Sequence, residues 1–579
     1  MEELKLYLNL THRVGGGNLA LFEQQQDLAH QCGLKCTMIV GYDGLQNPDV
    51  IQRVKDYGAE YKEETGMLLS ITDTTKSFAE GNYTFWLFTL EEKKRIIDES
   101  MQRFKAVFGY FPQLLTCYYL DAPTVNYIKQ NYPEVEAVVA TCFEEGTKML
   151  RGSNYTYYLF SEGGPWNPWI PSRENSQCPA RDKDDDAGVV AFPHLSRDMV
   201  ASIEDRNDYF ASHPMNMTRG WVYEGKNWSY MYNFLDMAVR QSIYNDGYAY
   251  CNVYVDPKWI AKSGGHDDEV RLDIYRDCLG YLAKLKAKGY LQDMGMLEFA
   301  RWYRQNRGYN KPDISLWQDI IFGSEKQAFW YIDAWMRATV DPNQGGAVVD
   351  LRPYVSRLHR PVGADTEILY DGSYPYILHA QYRGGWPCFM DTKSMFTGAI
   401  TCRGRTVLLN HQRTQCDFRK EGGDYLAIMN PVELDFGDLT AACMTKVVFR
   451  GAGAIEMQRT IACAVPDCEF EVLDFLNGTC GTTEYPTDMR NVILGYIGAQ
   501  GDNQLKFAYT GRSVEVPEVD QVYACVPDAG TRIVLSPGRK PAAGLVRDGI
   551  VTGPMYTLGI RNKVKAGEVS RTCLTISAM

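Results

Sequence analysis

Two aspartates stand directly after apolar, strand-like runs of the sequence. Asp121 follows Leu114 to Leu120, and Asp256 follows Tyr248 to Val255. In α/β folds, binding and catalytic groups collect where strands run out into loops. Two carboxyl groups that flank one bond, one ionised and one kept protonated, can cleave a glycosidic bond. The pair Asp121 and Asp256 is therefore the first candidate for catalysis.

Each carboxylate also has a structural alternative. Asp121-Ala-Pro-Thr opens a helical pattern, which is typical of a helix N-cap. Asp256 stands before a proline, which is typical of a turn. Glu144 and Glu145 follow a third apolar run. We expect that Glu145, or else Glu144, could replace either aspartate in catalysis.

Histidines and an arginine near the same strand ends are candidates for holding a substrate. His12 and Arg13 follow the first strand-like run, where an exposed pair would bind hydroxyls or a carboxylate. His194 and His213 end two further strand-like segments, and each could instead be a core histidine or a metal ligand. His266 lies in a polar loop, for which a solvated turn is the alternative.

Two tryptophans lie in a long insertion, Glu162-Gly-Gly-Pro-Trp166-Asn-Pro-Trp169. Loops of this length inside a compact domain are usually lids or binding loops. The flat apolar faces of Trp166 and Trp169 would suit stacking against sugar rings. The alternative is that both rings pack inward and anchor the loop.

The elements that must position these residues alternate along the first half of the chain. Strand-like runs, the first at Lys5 to His12, alternate with amphipathic helical patterns, one of which begins with the capping box Thr89-Leu-Glu-Glu. This alternation predicts a parallel sheet with right-handed crossovers that closes into a barrel over residues 1–305.

The second half of the chain has a different pattern. Residues 306–364 contain a Trp-rich segment, Ser315 to Arg337, which we interpret as a helical linker region. Residues 365–579 contain short β-like segments separated by Gly, Asp and Asn turns. This pattern predicts an antiparallel β-sandwich domain.

Composition excludes several classes of protein. A net charge of -12 and a pI near 5.3 argue against nucleic-acid or membrane-surface partners. Met1-Glu-Glu is acidic where a signal peptide would be basic, so we expect a cytoplasmic protein whose 16 cysteines are reduced. The cysteines lack C-x-x-C pairs, and nucleotide-loop motifs are missing, so no cofactor is predicted. The oligomeric state stays open, with a homo-oligomer as one outcome.

Two sequence features together resemble a known superfamily. The first is Phe108-Gly-Tyr-Phe-Pro112 followed by Tyr118-Tyr-Leu-Asp121, and the second is Lys288-Gly-Tyr-Leu closing on Met296-Leu-Glu298. Both are similar to the seven-stranded (β/α) barrels of NodB-like polysaccharide deacetylases and of glycoside hydrolase families 57 and 38. In the glycosidase branch a β-sandwich often follows the barrel. The resemblance implies a nucleophile after the fourth strand and an acid/base after the seventh, the positions of Asp121 and Asp256.

The chain departs from the deacetylase branch of this superfamily. That branch holds a divalent metal with an Asp-Asp pair after the first strand and a His-x-x-x-His after the third. Here Thr11-His12-Arg13 occupies the first position, and Gly66 to Asp73 contains no histidine. The departure favours chemistry without those ligands.

We therefore expect a carbohydrate-active hydrolase that cleaves a glycosidic bond in a small saccharide or glycoconjugate. One alternative is a deacetylase-like, metal-dependent hydrolase. Its rearranged ligands would come from five residues, namely His12, His194, His213, Asp121 and Asp256. Another alternative is a carbohydrate-binding protein without catalysis.

Overall fold

The structure is a computed structural model that describes residues 4–70, 72–77, 85, 88–117, 120–141, 164–203, 212, 229–255, 268–309, 311–357, 376–379, 389–479, 492–505, 511–549 and 555–579. The chain forms two compact units. The first is mainly Met1–Asp313, and the second is mainly Ser324–Leu358 with Tyr374–Met579.

The first unit is built on one parallel sheet. Its strands are β1 (Lys5–Val14), β2 (Thr37–Val40), β3 (Glu64–Leu68), β4 (Leu114–Thr116), β5 (Ala137–Thr141), β6 (Val190–Pro193), β7 (Tyr248–Val255) and β8 (Leu291–Asp293). The spatial order is β6-β5-β4-β3-β2-β1-β7, and β8 pairs with the start of β1. This curled parallel sheet supports the predicted barrel in outline.

Seven α-helices are described in this unit. They are α1 (Leu19–Gln31), α2 (Pro48–Tyr61), α3 (Leu90–Phe108), α4 (Ala122–Asn131), α5 (Ser229–Arg240), α6 (Asp268–Ala287) and α7 (Met296–Asn306). The predicted capping box of α3 is confirmed, because Thr89 and Glu92 bond each other's backbone N–H groups. Gly109 ends that helix with φ 86°, a left-handed conformation that glycine adopts at little cost. None of the described helices is long and apolar enough to span a membrane.

The two faces of the sheet differ in chemistry. One face packs against α1 to α4 through an apolar core, whose strand residues include Met38, Met67, Leu115, Val138 and Ala191. Successive side chains of a strand point to opposite faces, so the neighbours of these residues line the inside of the curl. The ring centroids of Phe192 on β6 and Tyr250 on β7 are 6.0 Å apart, although these strands lie at opposite ends of the sheet order. The curl therefore brings its two edges together.

Side-chain hydrogen bonds join those edges. The Asn252 side-chain amide on β7 donates to the carbonyls of Pro193 (3.1 Å) and His194 (2.9 Å) at the end of β6. Its side-chain oxygen accepts from the Thr11 hydroxyl on β1 at 3.3 Å. The Asn252 N–H donates to the Ser196 hydroxyl at 3.1 Å. One buried asparagine therefore links the edge strands β6 and β7, which stand at the two ends of the sheet order, and adds a side-chain bond to the β1–β7 ladder.

Aromatic rings close the amino-terminal end of the curl. Phe299 of α7 lies 5.0 Å from the Tyr250 ring and 5.8 Å from the Tyr7 ring. Helix α7 is held there by Glu64, whose carboxylate accepts the N–H groups of Leu297 and Glu298, each at 2.8 Å. A carboxylate at a helix N-terminus satisfies free N–H donors and complements the helix dipole. This end of the curl is apolar and filled.

The second unit consists of two antiparallel sheets. Its strands are β9 (Asp313–Gln318), β10 (Gln327–Ile332), β11 (Arg337–Asp341), β12 (Ala347–Arg352), β13 (Phe396–Cys402), β14 (Arg405–Leu408), β15 (Cys416–Glu421), β16 (Asp424–Met429), β17 (Val432–Asp435), β18 (Thr440–Gly451), β19 (Ala454–Cys463), β20 (Glu469–Thr479), β21 (Ile493–Gly498), β22 (Gly501–Leu505), β23 (Ser513–Val516), β24 (Gln521–Val526), β25 (Thr531–Pro537), β26 (Ala543–Arg547), β27 (Met555–Lys565) and β28 (Val569–Ala578). The first sheet runs β23-β26-β27-β20-β13-β12-β11-β10-β9, and the second runs β15-β16-β18-β19-β28-β25-β24-β21-β22. Apolar residues of both sheets share one core, which supports the predicted sandwich.

The predicted helical segment within residues 306–364 is wrong. Ser315 to Arg337 contains β9, β10 and the start of β11. The run Asp313-Ile-Ser-Leu-Trp-Gln318 alternates polar and apolar residues, and aromatic residues such as those of β10 favour a pleated surface. The Asp333 carboxylate accepts the N–H groups of Trp335 and Met336, which forms the turn between β10 and β11.

Candidate functional site

Polar side chains line the inside of the curl at the carboxyl-terminal ends of its strands. Strand alternation places six residues on this face near those ends, namely Thr11, Arg13, Thr116, His194, Asn252 and Tyr254. The Thr116 hydroxyl is buried and has no hydrogen-bond partner among the residues that the structure describes. The carboxyl-terminal ends of parallel strands are where α/β folds bind small molecules. This polar layer, called the mouth below, is the candidate functional site.

His194 and Tyr254 form one wall of the mouth. Their ring centroids lie 4.2 Å apart, and both side chains are buried. Parallel pairing sets Tyr254 of β7 beside Thr11 of β1. Arg13 follows on β1 on the same face, and it is half-buried. An imidazole, a phenol, a hydroxyl and a guanidinium thus lie on the same face of the curl near the strand ends, a donor set suited to hydroxyl or carboxylate groups.

Asp121 lies after β4 as the N-cap of α4. One carboxylate oxygen accepts the Thr124 N–H at 2.9 Å, and the other accepts the Lys93 ammonium at 2.8 Å. Burial alone would raise the pKa of Asp121, but the Lys93 charge and the hydrogen bonds with Thr124 outweigh burial and hold the pKa below its ordinary value. The structure therefore shows Asp121 in the predicted N-cap role, with an ionised carboxylate that two donors hold, and its catalytic role stays a prediction.

His12 lies on the outer face of β1, away from the mouth. Its ring nitrogens contact the Gln26 side-chain oxygen at 3.0 Å and the Tyr275 hydroxyl at 2.5 Å, on α1 and α6. Burial lowers the pKa of His12 to about 4, and the Gln26 hydrogen bond offsets only part of this. The imidazole is therefore neutral at physiological pH and joins the sheet to two helices. The alternation of side chains in β1 already indicates this outer position, because His12 lies on the same face of the strand as Leu8 and Leu10.

Both tryptophans of the insertion are buried. Trp169 is 2% exposed and packs in the apolar core outside the sheet. Its indole N–H donates to the Ser176 carbonyl at 2.9 Å, and its backbone forms a bridge with Ala191 of β6. Trp166 is 4% exposed. These positions correspond to the loop-anchoring alternative, since neither ring presents an open face to solvent.

Five candidate residues lie outside the residues that the structure describes, namely Glu144, Glu145, His213, Asp256 and His266. Their assignments stay predictions. Asp256 follows the last residue of β7 directly in the sequence. His194 contacts Tyr254 on the inner face, where strand alternation also places Arg13, whereas His12 lies on the outer face.

Sequence reasoning missed three polar residues around the mouth. Asn252 was part of an apolar run, yet a lone amide between Cys251 and Val253 was a signal that its hydrogen bonds had to be met inside the fold. Lys93 is a buried cation in the first turn of α3. No local pattern of the sequence indicates that it pairs with Asp121. Ser196 follows His194 by two residues and bonds β7.

A metal site at the mouth would need several ligands close together. Among the described residues, the group of His, Cys, Asp and Glu side chains that satisfies this condition is His30, Cys36 and Glu63. Cys36 and Glu63 directly precede β2 and β3, and His30 lies in the last turn of α1. The group is therefore at the amino-terminal ends of these strands, away from the mouth. The described members of the predicted ligand set, His12, His194 and Asp121, do not form such a group.

Comparison with known proteins gives weak likenesses. No family model matches the chain, and no curated protein matches it. A glycoside hydrolase/deacetylase candidate from Parabacteroides distasonis is similar at 13% identity and TM-score 0.48, over 64% of this chain and 90% of that one. The 4-alpha-glucanotransferase from Thermococcus litoralis is similar at 9% identity and TM-score 0.28, over 99% and 100%. Puue allantoinase is similar at 10% identity and TM-score 0.33, over 53% and 93%. At these values the likenesses carry no argument about function.

Proposed function

We propose that this chain is a hydrolase that acts on a small carbohydrate at the mouth. The observation that carries the proposal is the contrast between the two ends of the curl. The amino-terminal end is filled by Tyr7, Tyr250 and Phe299, whereas the carboxyl-terminal end has polar groups of four strands on its inner face. A polar space with an apolar floor suits a ligand that has many hydroxyl groups.

The proposed reaction is cleavage of a glycosidic bond by a pair of carboxylates. Asp256 is the proposed acid, because it follows β7 directly after Tyr254 and Val255. Asp121 suits the ionised partner, since its pKa lies below the ordinary value. Glu145 is the proposed substitute if Asp121 has only its capping role. Arg13 and His194 would hold substrate hydroxyls.

A substrate screen tests the proposal. Purified protein is assayed on a panel of aryl glycosides and acetylated sugars, with and without a chelator. We expect release of the aryl alcohol, insensitive to chelation, and a loss of roughly a thousandfold or more in kcat for Asp256→Asn, as for removal of an acid or nucleophile. Asp56→Asn is the matched control, because Asp56 is exposed on α2 and contacts Gln52 of the same helix.

Other outcomes would point to the alternatives. Acetate release that stops on chelation would replace the glycosidase with a metal-dependent deacetylase. Sugar binding by calorimetry without turnover on any substrate would leave a binding protein. Turnover that is unchanged in Asp256→Asn and in Glu145→Gln would contradict the carboxylate mechanism.

A further inference from the structure

A buried group of three unlike side chains lies at the opposite end of the sheet from the mouth. His30 comes from the last turn of α1, Cys36 directly precedes β2, and Glu63 directly precedes β3. One nitrogen, one sulfur and one oxygen of these side chains all lie within 4.8 Å of one another. The side chains of His30 and Glu63 are 5% and 0% exposed, and Cys36 is fully buried.

The charge of Glu63 is the unusual feature of this group. Its carboxylate accepts from His30 Nε2 at 2.9 Å, from the Cys36 N–H at 2.8 Å and from the Gln26 amide at 3.3 Å. No lysine or arginine pairs with it in the described part of the chain. Buried carboxylates are ordinarily paired with a cation or bound to a metal. His30 is the ion-pair partner of Glu63 only when its ring is protonated, and a bound metal ion would supply positive charge at the same point.

We propose that His30, Cys36 and Glu63 bind one divalent transition-metal ion, with Zn²⁺ the best match. An imidazole nitrogen, a thiolate and a carboxylate oxygen are zinc donors, whereas Mg²⁺ and Ca²⁺ take oxygen donors. One thiolate and one carboxylate neutralise the two charges of the ion. Three protein donors leave the fourth tetrahedral position to a water molecule.

The surroundings hold the three donors in place. The Tyr61 ring stacks on the His30 ring at 3.5 Å and 11°, which sets the imidazole plane. The Gln26 side chain links Glu63 to His12, and His12 contacts Tyr275. Hydrogen-bonded partners of this kind orient the ligands of metal sites. The 2.9 Å between His30 Nε2 and Glu63 Oε1 would widen to roughly 3.3 Å around a tetrahedral ion.

Binding of the ion is balanced by one proton. The Cys36 thiol gives its proton to solvent as the metal–sulfur bond forms. The Nε2 proton of His30 moves to Nδ1, which has no hydrogen-bond partner among the described residues.

The site has no part in the proposed hydrolysis. It joins α1 to the starts of β2 and β3, at the end of a barrel that serves stability. The sequence does not reveal it, because the three ligands come from three elements and lack zinc-finger spacing.

Cobalt titration of the chelator-treated full chain tests the proposal. We expect a thiolate-to-cobalt absorption band in the near ultraviolet that saturates at one equivalent and disappears when Zn²⁺ is added. Cys36→Ser should abolish the band, and Glu63→Gln should weaken binding by roughly tenfold or more, as loss of one ligand does. Cys278→Ser is the matched control, because Cys278 is another fully buried thiol whose pKa burial raises.

Several results would overturn the metal site. These are a wild-type protein without a band at millimolar Co²⁺, a band that persists in Cys36→Ser, or a band lost equally in Cys278→Ser. Circular dichroism of each variant identifies one that does not fold. If Cys36→Ser does not fold, the wild-type stoichiometry and the Glu63→Gln titration decide. Thermal unfolding supports the site if one equivalent of Zn²⁺ raises the Tm of wild type more than that of Glu63→Gln.

Discussion

The ion pair between Lys93 and Asp121 allows the structural and catalytic roles of Asp121 to be separated. The two side chains are 3% and 8% exposed, and Nζ lies 2.8 Å from the carboxylate. Asp121→Asn keeps an N-cap side chain of equal quality, so it removes the charge and leaves the cap of α4. It also leaves the Lys93 ammonium buried without its partner.

The expected cost follows from that burial. Removing one partner of a buried ion pair costs about 3–5 kcal/mol, because the remaining charge is not compensated. Lys93→Met should cost less, since the Asp121 carboxylate keeps the Thr124 N–H. The double variant Lys93→Met with Asp121→Asn buries no charge and should recover most of the stability lost in Asp121→Asn.

The pH dependence has a definite sign. The pKa of Asp121 is lowered on folding from 3.8, so the carboxylate stabilises the fold fully above pH 3.8. The stabilisation is lost as the pH falls from 3.8 through the lowered pKa. The difference in unfolding free energy between wild type and Asp121→Asn should therefore be constant near neutral pH and shrink in acid.

Urea unfolding of the four proteins, combined with turnover on the best glycoside, is the assay. A cost below about 1 kcal/mol for Asp121→Asn, or a double variant as unstable as the sum of both single variants, would refute the reasoning about the buried pair.

Turnover tests the catalytic role of Asp121 separately from its stability role. A stable double variant without turnover assigns catalysis to Asp121, whereas a stable and active one assigns it the capping role alone.

Three further predictions concern residues around the mouth and the sheet. Asn252→Leu should lower the unfolding free energy by roughly 2–4 kcal/mol and speed hydrogen exchange in β6 and β7, because two carbonyls and a hydroxyl lose their partner. Unchanged exchange would contradict the role of Asn252 in joining these two strands. As the pH falls from 6.5 to about 4, wild type should lose roughly 3 kcal/mol of stability relative to His12→Gln, because only the unfolded chain takes up the proton. An NMR titration that places the pKa of His12 above 6 would contradict this prediction. Trp169→Phe should lower the unfolding free energy by about 1 kcal/mol, because the hydrogen bond with Ser176 is lost, and should leave KM unchanged. A raised KM at unchanged stability would instead support stacking of the Trp169 ring on a sugar.

Much of the first unit was predictable because its signals are local. Strand β7 begins and ends at the predicted residues, and α3 has the predicted cap at Thr89 and stop at Gly109. Hydrophobic periodicity and capping depend on residues a few positions apart, so one sequence contains them. The error at residues 315–337 also concerns a local signal, since this Trp-rich segment was interpreted as helical although aromatic residues favour strands.

By itself, the sequence determined the order of strands and helices, the β-rich second half and the polar residues at strand ends. Only the tertiary structure decided which of those residues meet. Arg13 lies inside the curl and His12 outside it, one residue apart, because a strand reverses its side chains at each step. The partner of Asp121 is 28 positions away, and His30, Cys36 and Glu63 converge from three elements. Such contacts depend on how the sheet curls and how helices pack, and no short-range pattern in the chain encodes them.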